Sequence, residues 1–359
     1  MTKSIQRVVA IFIYLISMGI GAEIKLIKPQ EAIRLIGRDD VLFISGENRA
    51  AFQNSHIVGS INIYTHDICH TDDSRDISYA PLYDYPKKSE KYIQEKGVKK
   101  SQLLIIYDDF HGPHASGLYG YFESLGHEDI RLLDGGVEGI KRLDPNQQLY
   151  DKLKSQEKRL KLQIEVATKE RKYKDAASIT SKLESLTAKI NLIKSQLLIE
   201  DGDERSMTKG DFIVDITKVV KTHLADIDEV KRASDDIVKY GDESRFAIID
   251  SRSMDEIIGK EKIAGVLRGG HIPRAKFVEW KKITDFKNKK SFKSLEDMQK
   301  IFDKIGIRKD QTIYTYSHYG AGRGSHIAMA LRLLGYKSVK VYSGGWNEWG
   351  NSLDYPLSR

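Results

Sequence analysis

Residues 312–349 contain the side chains and the spacing best suited to bind an anion. Ser317 follows a short apolar, β-branched run, and residues 317–324 then form a glycine-rich loop. Apolar residues at helical spacing follow, and Gly335 is a natural helix stop. Glycines let backbone N–H groups turn inward, and a helix N-terminus favours negative charge. The pattern therefore predicts an anion-binding loop in which Arg323 supplies a fixed cation.

The first residue of this loop, Ser317, is where a nucleophile would stand. The predicted binding residues are His318, Tyr319, Gly320, Ala321, Gly322 and Arg323. A serine hydrolase would need an orienting carboxylate and a G-x-S-x-G turn, and TYSHYG is not such a turn. A dinucleotide site would need a further glycine and an acid ending the next strand, where Ser325 and Ser343 stand instead. Neither class fits the sequence.

The segment resembles the active-site region of the rhodanese family, the thiosulfate and mercaptopyruvate sulfurtransferases. The resemblance rests on the strand end at Tyr316, the loop as far as Arg323, the helix ending LRLLGY and the closing SGGWNEW. It implies that Ser317 occupies the place of a cysteine that carries sulfane sulfur as a persulfide. The distance from Ser317 to Arg323 is one residue longer than in most sulfurtransferases and closer to that of the cell-cycle phosphatases with this fold. A longer loop suits a larger anion, such as phosphate, arsenate or a polythionate.

Serine in place of cysteine separates two hypotheses about function. Persulfide chemistry needs a soft thiolate of low pKa, which a hydroxyl cannot supply. The first hypothesis is an enzyme that moves sulfane sulfur from thiosulfate or a related donor to a thiophilic acceptor, impaired by Ser317. The second is a protein whose loop binds the anion without turnover, or a scaffold. Neither hypothesis calls for a cofactor, and the expected ligand is a small sulfur-containing anion.

The chain contains the same pattern twice, which predicts two α/β domains with mostly parallel sheets flanked by helices. The corresponding positions are Tyr107 and Tyr316, Ser116 and Ser325, Gly126 and Gly335, and Gly135 and Gly344. The spacing between them is the same in both halves. The predicted domains are residues 23–145 and 206–359.

The family resemblance also assigns residues outside the loop. It implies that Asp250 and Arg252 support the site and that Arg268 helps to hold the substrate. In the first repeat Asp108 stands at the position of Ser317, and His114 at that of Arg323. A carboxylate there would repel an anion, so the first repeat is predicted to be non-catalytic.

Residues 146–205 differ in composition from both repeats and predict a helical insertion. Apolar residues step by three and four in the manner of a coiled coil, at Ile179, Leu183, Leu186, Ile190, Ile193 and Leu197. Leu149, Leu153, Leu160 and Ile164 suggest an earlier helix. We expect an antiparallel hairpin that docks a protein partner, or else one long helix that pairs with a second subunit.

Composition and the N-terminus bound the remaining possibilities. A net charge of +7 suits small anions and does not by itself indicate nucleic acid. Residues 1–22 resemble a secretory signal, with cleavage expected near Ala22, which predicts a periplasmic or secreted protein that has no membrane anchor once the signal is removed; the alternative is an uncleaved N-terminal anchor. The single cysteine, Cys69, excludes an internal disulfide and a cysteine-rich metal site, and no metal is predicted. If exposed, Cys69 would be a candidate thiol.

Overall fold

The computed structural model describes residues 24–68, 70–72, 77–80, 85–219, 222–263, 265–318 and 322–359. The predicted signal, residues 1–22, and Cys69 lie outside the described residues. Within the described part of the chain, no helix has both the length and the apolar character needed to cross a membrane.

The first repeat forms a five-stranded parallel sheet with helices around it. Its described strands are β1 Leu26–Ile27, β2 Val41–Ser45, β3 His56–Ile57, β4 Ile61–Asn62, β5 His70–Asp72, β6 Ile77–Ala80, β7 Leu103–Tyr107 and β8 Ile130–Leu133. Its described helices are α1 Pro29–Ala32, α2 Arg49–Asn54, α3 Pro86–Glu95, α4 Pro113–Ser124 and α5 Gly136–Leu143. The sheet has the order β1-β8-β7-β2-β4, while β5 and β6 form a separate antiparallel pair.

The insertion is an antiparallel helical hairpin, α6 Gln147–Lys169 and α7 Tyr173–Lys194, rather than one long helix. The chain reverses at Arg171, which adopts a left-handed φ of 57°. The seam in α6 follows Tyr150 and Leu153, so Leu149, predicted to belong to it, is 43% exposed. After the hairpin, β9 Ile199–Glu200 pairs antiparallel with β3.

The segment that leaves the hairpin packs on the first repeat. Phe212 and Val214 are buried in the same apolar core as Phe122, and the Phe122 and Phe212 rings meet edge to face at 5.9 Å. The second domain, predicted from residue 206, therefore has its first residues in contact with the N-terminal domain.

The second repeat reproduces the sheet of the first. Its strands are β10 Leu224–Ala225, β11 Phe246–Asp250, β12 Lys276–Phe277, β13 Thr312–Tyr316 and β14 Val339–Tyr342. Its helices are α8 Ile227–Tyr240, α9 Met254–Ile257, α10 Leu295–Lys304, α11 Arg323–Leu333 and α12 Gly345–Asn351. The parallel order β10-β14-β13-β11-β12 matches β1-β8-β7-β2-β4 position by position. The predicted fold class, two α/β domains and an inserted hairpin, is confirmed.

Local sequence explains the elements that carry the site. The central strands β11 and β13 are buried almost throughout, as parallel strands covered on both faces must be. Asp226 caps the N-terminus of α8 and Ser294 that of α10, because their side chains accept hydrogen bonds from backbone N–H groups of the first turn. These caps fix the residue at which each helix begins.

The two repeats join through α4 and α11, and His326 of α11 lies fully buried at this junction. Thr284 Oγ1 donates to the His111 carbonyl, so its hydroxyl proton is used. The His326 Nε2–H must therefore donate to Thr284 Oγ1 at 3.1 Å, and Nδ1 accepts from Ser116 Oγ at 2.9 Å. Nearby, Arg332 and Glu123 form a bidentate ion pair across the domains.

Acid is expected to weaken this junction through His326. Burial lowers the pKa of His326 to about 3, below its unfolded value, so the folded state loses stability as pH falls from the unfolded pKa towards about 3. Between pH 7 and pH 4.5, we expect His326→Gln to lose about 2–3 kcal/mol less unfolding free energy than the wild-type chain. Urea unfolding at both pH values measures this difference. An unchanged pH dependence in the variant would contradict it.

Candidate functional site

Ser317 and His318 lie at the carboxyl end of the central strand β13, where ligands bind in open α/β sheets. Both residues are almost fully buried, at 4% and 3% exposed. Helix α11 begins at Arg323, after Gly322. Gly324 lies so close to the strand that a Cβ there would be 3.1 Å from backbone atoms of Tyr316. The residues between, Tyr319, Gly320 and Ala321, were predicted to bind the anion and lie outside the described residues.

The N-terminal turn of α12 fixes the backbone of Ser317 and His318. The Trp346 N–H donates to the Ser317 carbonyl at 2.9 Å, and the Asn347 N–H donates to the His318 carbonyl at 2.7 Å. Gly345 makes this approach possible with a φ of 57°. A Cβ on Gly345 would lie 2.7 Å from the Ser317 oxygen.

We therefore expect Gly345→Ala to lower the unfolding free energy by at least about 2 kcal/mol, because it adds a backbone clash to left-handed strain. Gly335→Ala is the matched control, since Gly335 has a φ of 81° but no described atom within 4 Å of the place that a methyl group would take. The control should lose about 1 kcal/mol from conformational strain alone. Urea denaturation of both variants compares them. Equal losses would show that the approach to Ser317 is not tight.

Asp250 and Arg252 form a buried support beneath the loop. Their ion pair has an Nη2–Oδ2 distance of 2.7 Å, and both side chains are at most 2% exposed. Arg252 also donates to the Gly270 carbonyl and lies 4.7 Å from the centre of the Trp346 ring. These contacts tie β11 to α12, which itself positions Ser317.

Glu256 holds the Arg323 guanidinium in a bidentate ion pair. The Nη1–Oε2 and Nη2–Oε1 distances are 2.6 and 2.9 Å. Burial opposes ionisation of Glu256, but Arg323 outweighs burial and lowers the pKa of Glu256 to about 2. Glu256 also completes a capping box with Ser253 at the start of α9. Glu256 was not predicted from the sequence, although the spacing of Ser253 and Glu256 is a capping-box signal.

Arg268, for which the resemblance implied a substrate contact, makes its hydrogen bonds within the second domain. Its guanidinium donates to the carbonyls of four residues near the C-terminus: Trp349, Gly350, Ser352 and Tyr355. These bonds fasten the end of the chain to the domain. Binding a substrate through Arg268 would require breaking them, so we do not assign it to the ligand.

Ser317, His318 and Arg323 line a cleft of about 580 Å³ between the two domains. The first domain contributes Glu47, His66, Asp109, His111 and His114 to the same cleft. From the sequence, the first-repeat loop that contains His114 was expected to be a non-catalytic counterpart of the loop at residues 317–324, which we call the cradle. The structure shows that this loop forms the opposite wall.

Three of the cleft histidines, His318, His66 and His114, are in surroundings that favour the neutral form. Burial, reinforced by the nearby Arg323, lowers the pKa of His318 to about 4. Burial also lowers the pKa of His66 and of His114. Arg323 and Lys281 are the arginine and lysine side chains that line the cleft among the described residues.

In the first repeat, the cradle binds a carboxylate of the chain itself. Asp108 Oδ2 accepts hydrogen bonds from the Gly112 and Ala115 N–H groups at 2.9 and 3.1 Å, at the start of α4. Burial, together with Asp109 and Glu47, raises the pKa of Asp108. An external anion at this position would have to displace Asp108, which supports the prediction that the first repeat is non-catalytic.

Among the described residues, one cluster of three acidic residues has the spacing to hold a metal ion. Glu47, Asp108 and Asp109 each bring an oxygen within 4.8 Å of the others. Several of their oxygens already accept backbone N–H groups. The expectation that the protein uses no metal stays a prediction.

Two parallel sheets of identical order, with a loop at a central strand end of the second and a cleft between the domains, define a tandem α/β protein. The Rhodanese-like domain family matches residues 28–143 and 228–352, and the chain belongs to this family. The sulfur carrier protein TtuD of Thermus thermophilus is 26% identical over 87% of this chain and 88% of its own length. A putative thiosulfate sulfurtransferase of Saccharopolyspora erythraea is 24% identical over 92% and 95%.

The solved structures agree on the fold. SseA from Escherichia coli, described with the 3-mercaptopyruvate sulfotransferases, is 19% identical and superposes with a TM-score of 0.61. The match covers 90% of this chain and 99% of that one. The tandem rhodanese architecture predicted from the repeat is thus confirmed, and the family is one of sulfurtransferases.

Proposed function

We infer that this protein binds thiosulfate or a related sulfur oxyanion in the interdomain cleft, and that Ser317 prevents it from carrying sulfur as a persulfide. The position of Ser317 supports this most directly. It stands at the buried end of β13, close to the N-terminus of α11 and in the same cleft as Arg323. A hydroxyl there can donate a hydrogen bond to an anion but cannot accept and release sulfur.

The electrostatics of the cleft support an anion in this half. The cradle joins a helix N-terminus to the Arg323 guanidinium, whose Glu256 contact orients it without burying it, since the side chain remains 25% exposed. Neutral His318 adds no charge, so the affinity for the anion should vary little between about pH 6 and 8. The ligand therefore has to be recognised by the guanidinium and backbone N–H groups.

Calorimetric titration with thiosulfate tests the proposal. We expect saturable one-to-one binding that weakens as ionic strength rises, with no loss of thiosulfate from solution over hours. The control anion is acetate, which has one negative charge and should bind more weakly. Absence of thiosulfate binding, or its consumption by the wild-type chain, would contradict the proposal.

A scaffolding role is the second candidate, and the hairpin favours it. Leu162, Val166 and Leu192 of α6 and α7 are 46% to 61% exposed, although they are large and apolar. A protein partner or self-association through residues 146–205 stays a prediction. Analytical ultracentrifugation of the intact chain and of a Leu162→Glu, Leu192→Glu variant tests self-association.

The secretory signal and the periplasmic or secreted location also stay predictions, which cell fractionation and N-terminal sequencing of the mature protein would test.

A further inference from the structure

The wall of the cleft opposite Ser317 presents carboxyl groups that pair with no lysine or arginine among the described residues. Glu47 and Asp109 line the cleft, and neither forms an ion pair with a lysine or arginine in that part of the chain. Asp109 is paired instead with the His111 ring, and its backbone N–H donates to Glu47 Oε1 at 3.2 Å. Asp108, 1% exposed, lies behind them with one oxygen within 4.8 Å of theirs.

Three aromatic rings adjoin this acidic wall and line the same cleft. The ring centres of His111 and Trp280 are 6.1 Å apart, those of His111 and Phe286 5.3 Å, and those of Trp280 and Phe286 6.3 Å. The rings are inclined to one another by 48° to 85° and do not stack. Phe286 remains 44% exposed, which is unusual for a large apolar side chain within a cleft. Inclined rings beside carboxylates form an environment that attracts an organic cation.

We propose that the cleft binds a zwitterion or a cation–anion pair, with an organic ammonium group between the aromatic rings and Glu47 and Asp109, and the anionic group at Arg323. The assignment rests on the proposed function, because it places the sulfur oxyanion, or the carboxylate of the same ligand, in the cradle. It adds that the second group in the cleft, the expected sulfur acceptor or the remainder of the donor, is positively charged.

Other cations fit the wall less well. A hard metal ion prefers a shell of oxygen ligands, whereas half of this wall is aromatic. A quaternary ammonium group is attracted by the faces of aromatic rings, and its loss of hydration on binding costs little free energy. It can therefore bind beside both the carboxyl groups and the rings. The Lys281 ammonium lies 5.9 Å from the centre of the Trp280 ring, but it pairs with Glu279 and its side chain is 57% exposed. The Trp280 ring therefore already lies near a cation. The Lys281 ammonium can move into solvent when a ligand binds.

Glycine betaine and 3,3-dimethylbutanoate provide a matched pair of probes. They have nearly the same shape, but a neutral carbon in dimethylbutanoate replaces the positively charged nitrogen of betaine. Calorimetric titration of the wild-type chain should show glycine betaine binding at least about tenfold more tightly. Trp280→Leu and Glu47→Gln should each weaken betaine binding about fivefold or more while changing dimethylbutanoate binding less than about twofold. Tyr240→Leu, at an exposed ring of α8, is the control and should change neither.

Equal or tighter binding of dimethylbutanoate would overturn the inference, as would binding of Mg²⁺ to the wild-type chain without any binding of betaine. Thermal unfolding of each variant checks that the fold is retained. The outcome is separable from that of the proposed function. Thiosulfate binding without betaine binding removes only the inference, and betaine binding without thiosulfate binding removes only the sulfur oxyanion.

Discussion

Ser317→Cys is expected to convert the protein into a thiosulfate sulfurtransferase. The new thiol would stand at the buried end of β13, near the N-terminus of α11 and in the same cleft as Arg323. Both features stabilise a thiolate and lower a thiol pKa, which makes it a competent nucleophile. Transfer of sulfur from thiosulfate to cyanide, followed as thiocyanate, should rise by on the order of 100-fold or more over the wild-type chain.

The matched control for this gain moves the thiol to the first repeat. Asp108→Cys places a cysteine at the equivalent strand end, but beside Glu47 and Asp109, whose charges disfavour a thiolate. It should therefore remain inactive. Activity of Asp108→Cys equal to that of Ser317→Cys would mean that position after the strand, rather than the cradle charge, determines reactivity.

Arg323→Met is expected to cost the wild-type chain on the order of 100-fold in thiosulfate affinity. The substitution removes the cation of the cradle and leaves the Glu256 carboxylate buried without its partner, so the cleft changes from positive to negative at the anion site. Glu256→Gln alone should tighten binding a few-fold, because Glu256 competes with the ligand for the guanidinium. The double variant should recover about tenfold of the loss. Calorimetric titrations measure all three affinities.

Arg38→Met is the control for the loss of a bidentate ion pair, since Arg38 and Asp40 form an exposed pair that is not part of the cleft. It should leave thiosulfate affinity unchanged. If Arg323→Met also left it unchanged, the anion would have to bind elsewhere, and the cradle would lose its assigned role.

The fold could be predicted because each repeat has its own local signals. Apolar strands, helix stops and paired glycines recur at equal spacing around Tyr107 and Tyr316, and the two sheets have identical strand order. The hairpin could be predicted for the same reason, since its apolar periodicity is local. Only the first position of the α6 seam was assigned one residue too early, at Leu149 instead of Tyr150, because both are apolar enough to continue the pattern.

The site could be predicted only in part, because its geometry depends on contacts between residues far apart in sequence. The position of Ser317 after a strand is a local property, and the structure places it there. The partner of Arg323 is 67 residues away, at Glu256. The four carbonyls that bind Arg268 likewise come together only when the C-terminus folds back. The family resemblance indicated Arg323 and Arg268 but not the residues with which they pair.

Intact-mass spectrometry after exposure to thiosulfate, followed by desalting, tests the central claim most directly. It would compare the wild-type chain with the Ser317→Cys, Cys69→Ser double variant, because Cys69 is the single thiol of the natural sequence. We predict that only the double variant gains the mass of one sulfur atom and loses it again on addition of cyanide. A sulfur adduct on the wild-type chain would contradict the account and assign the sulfur to Cys69. No adduct on the folded double variant would show that the end of β13 is not a nucleophile position.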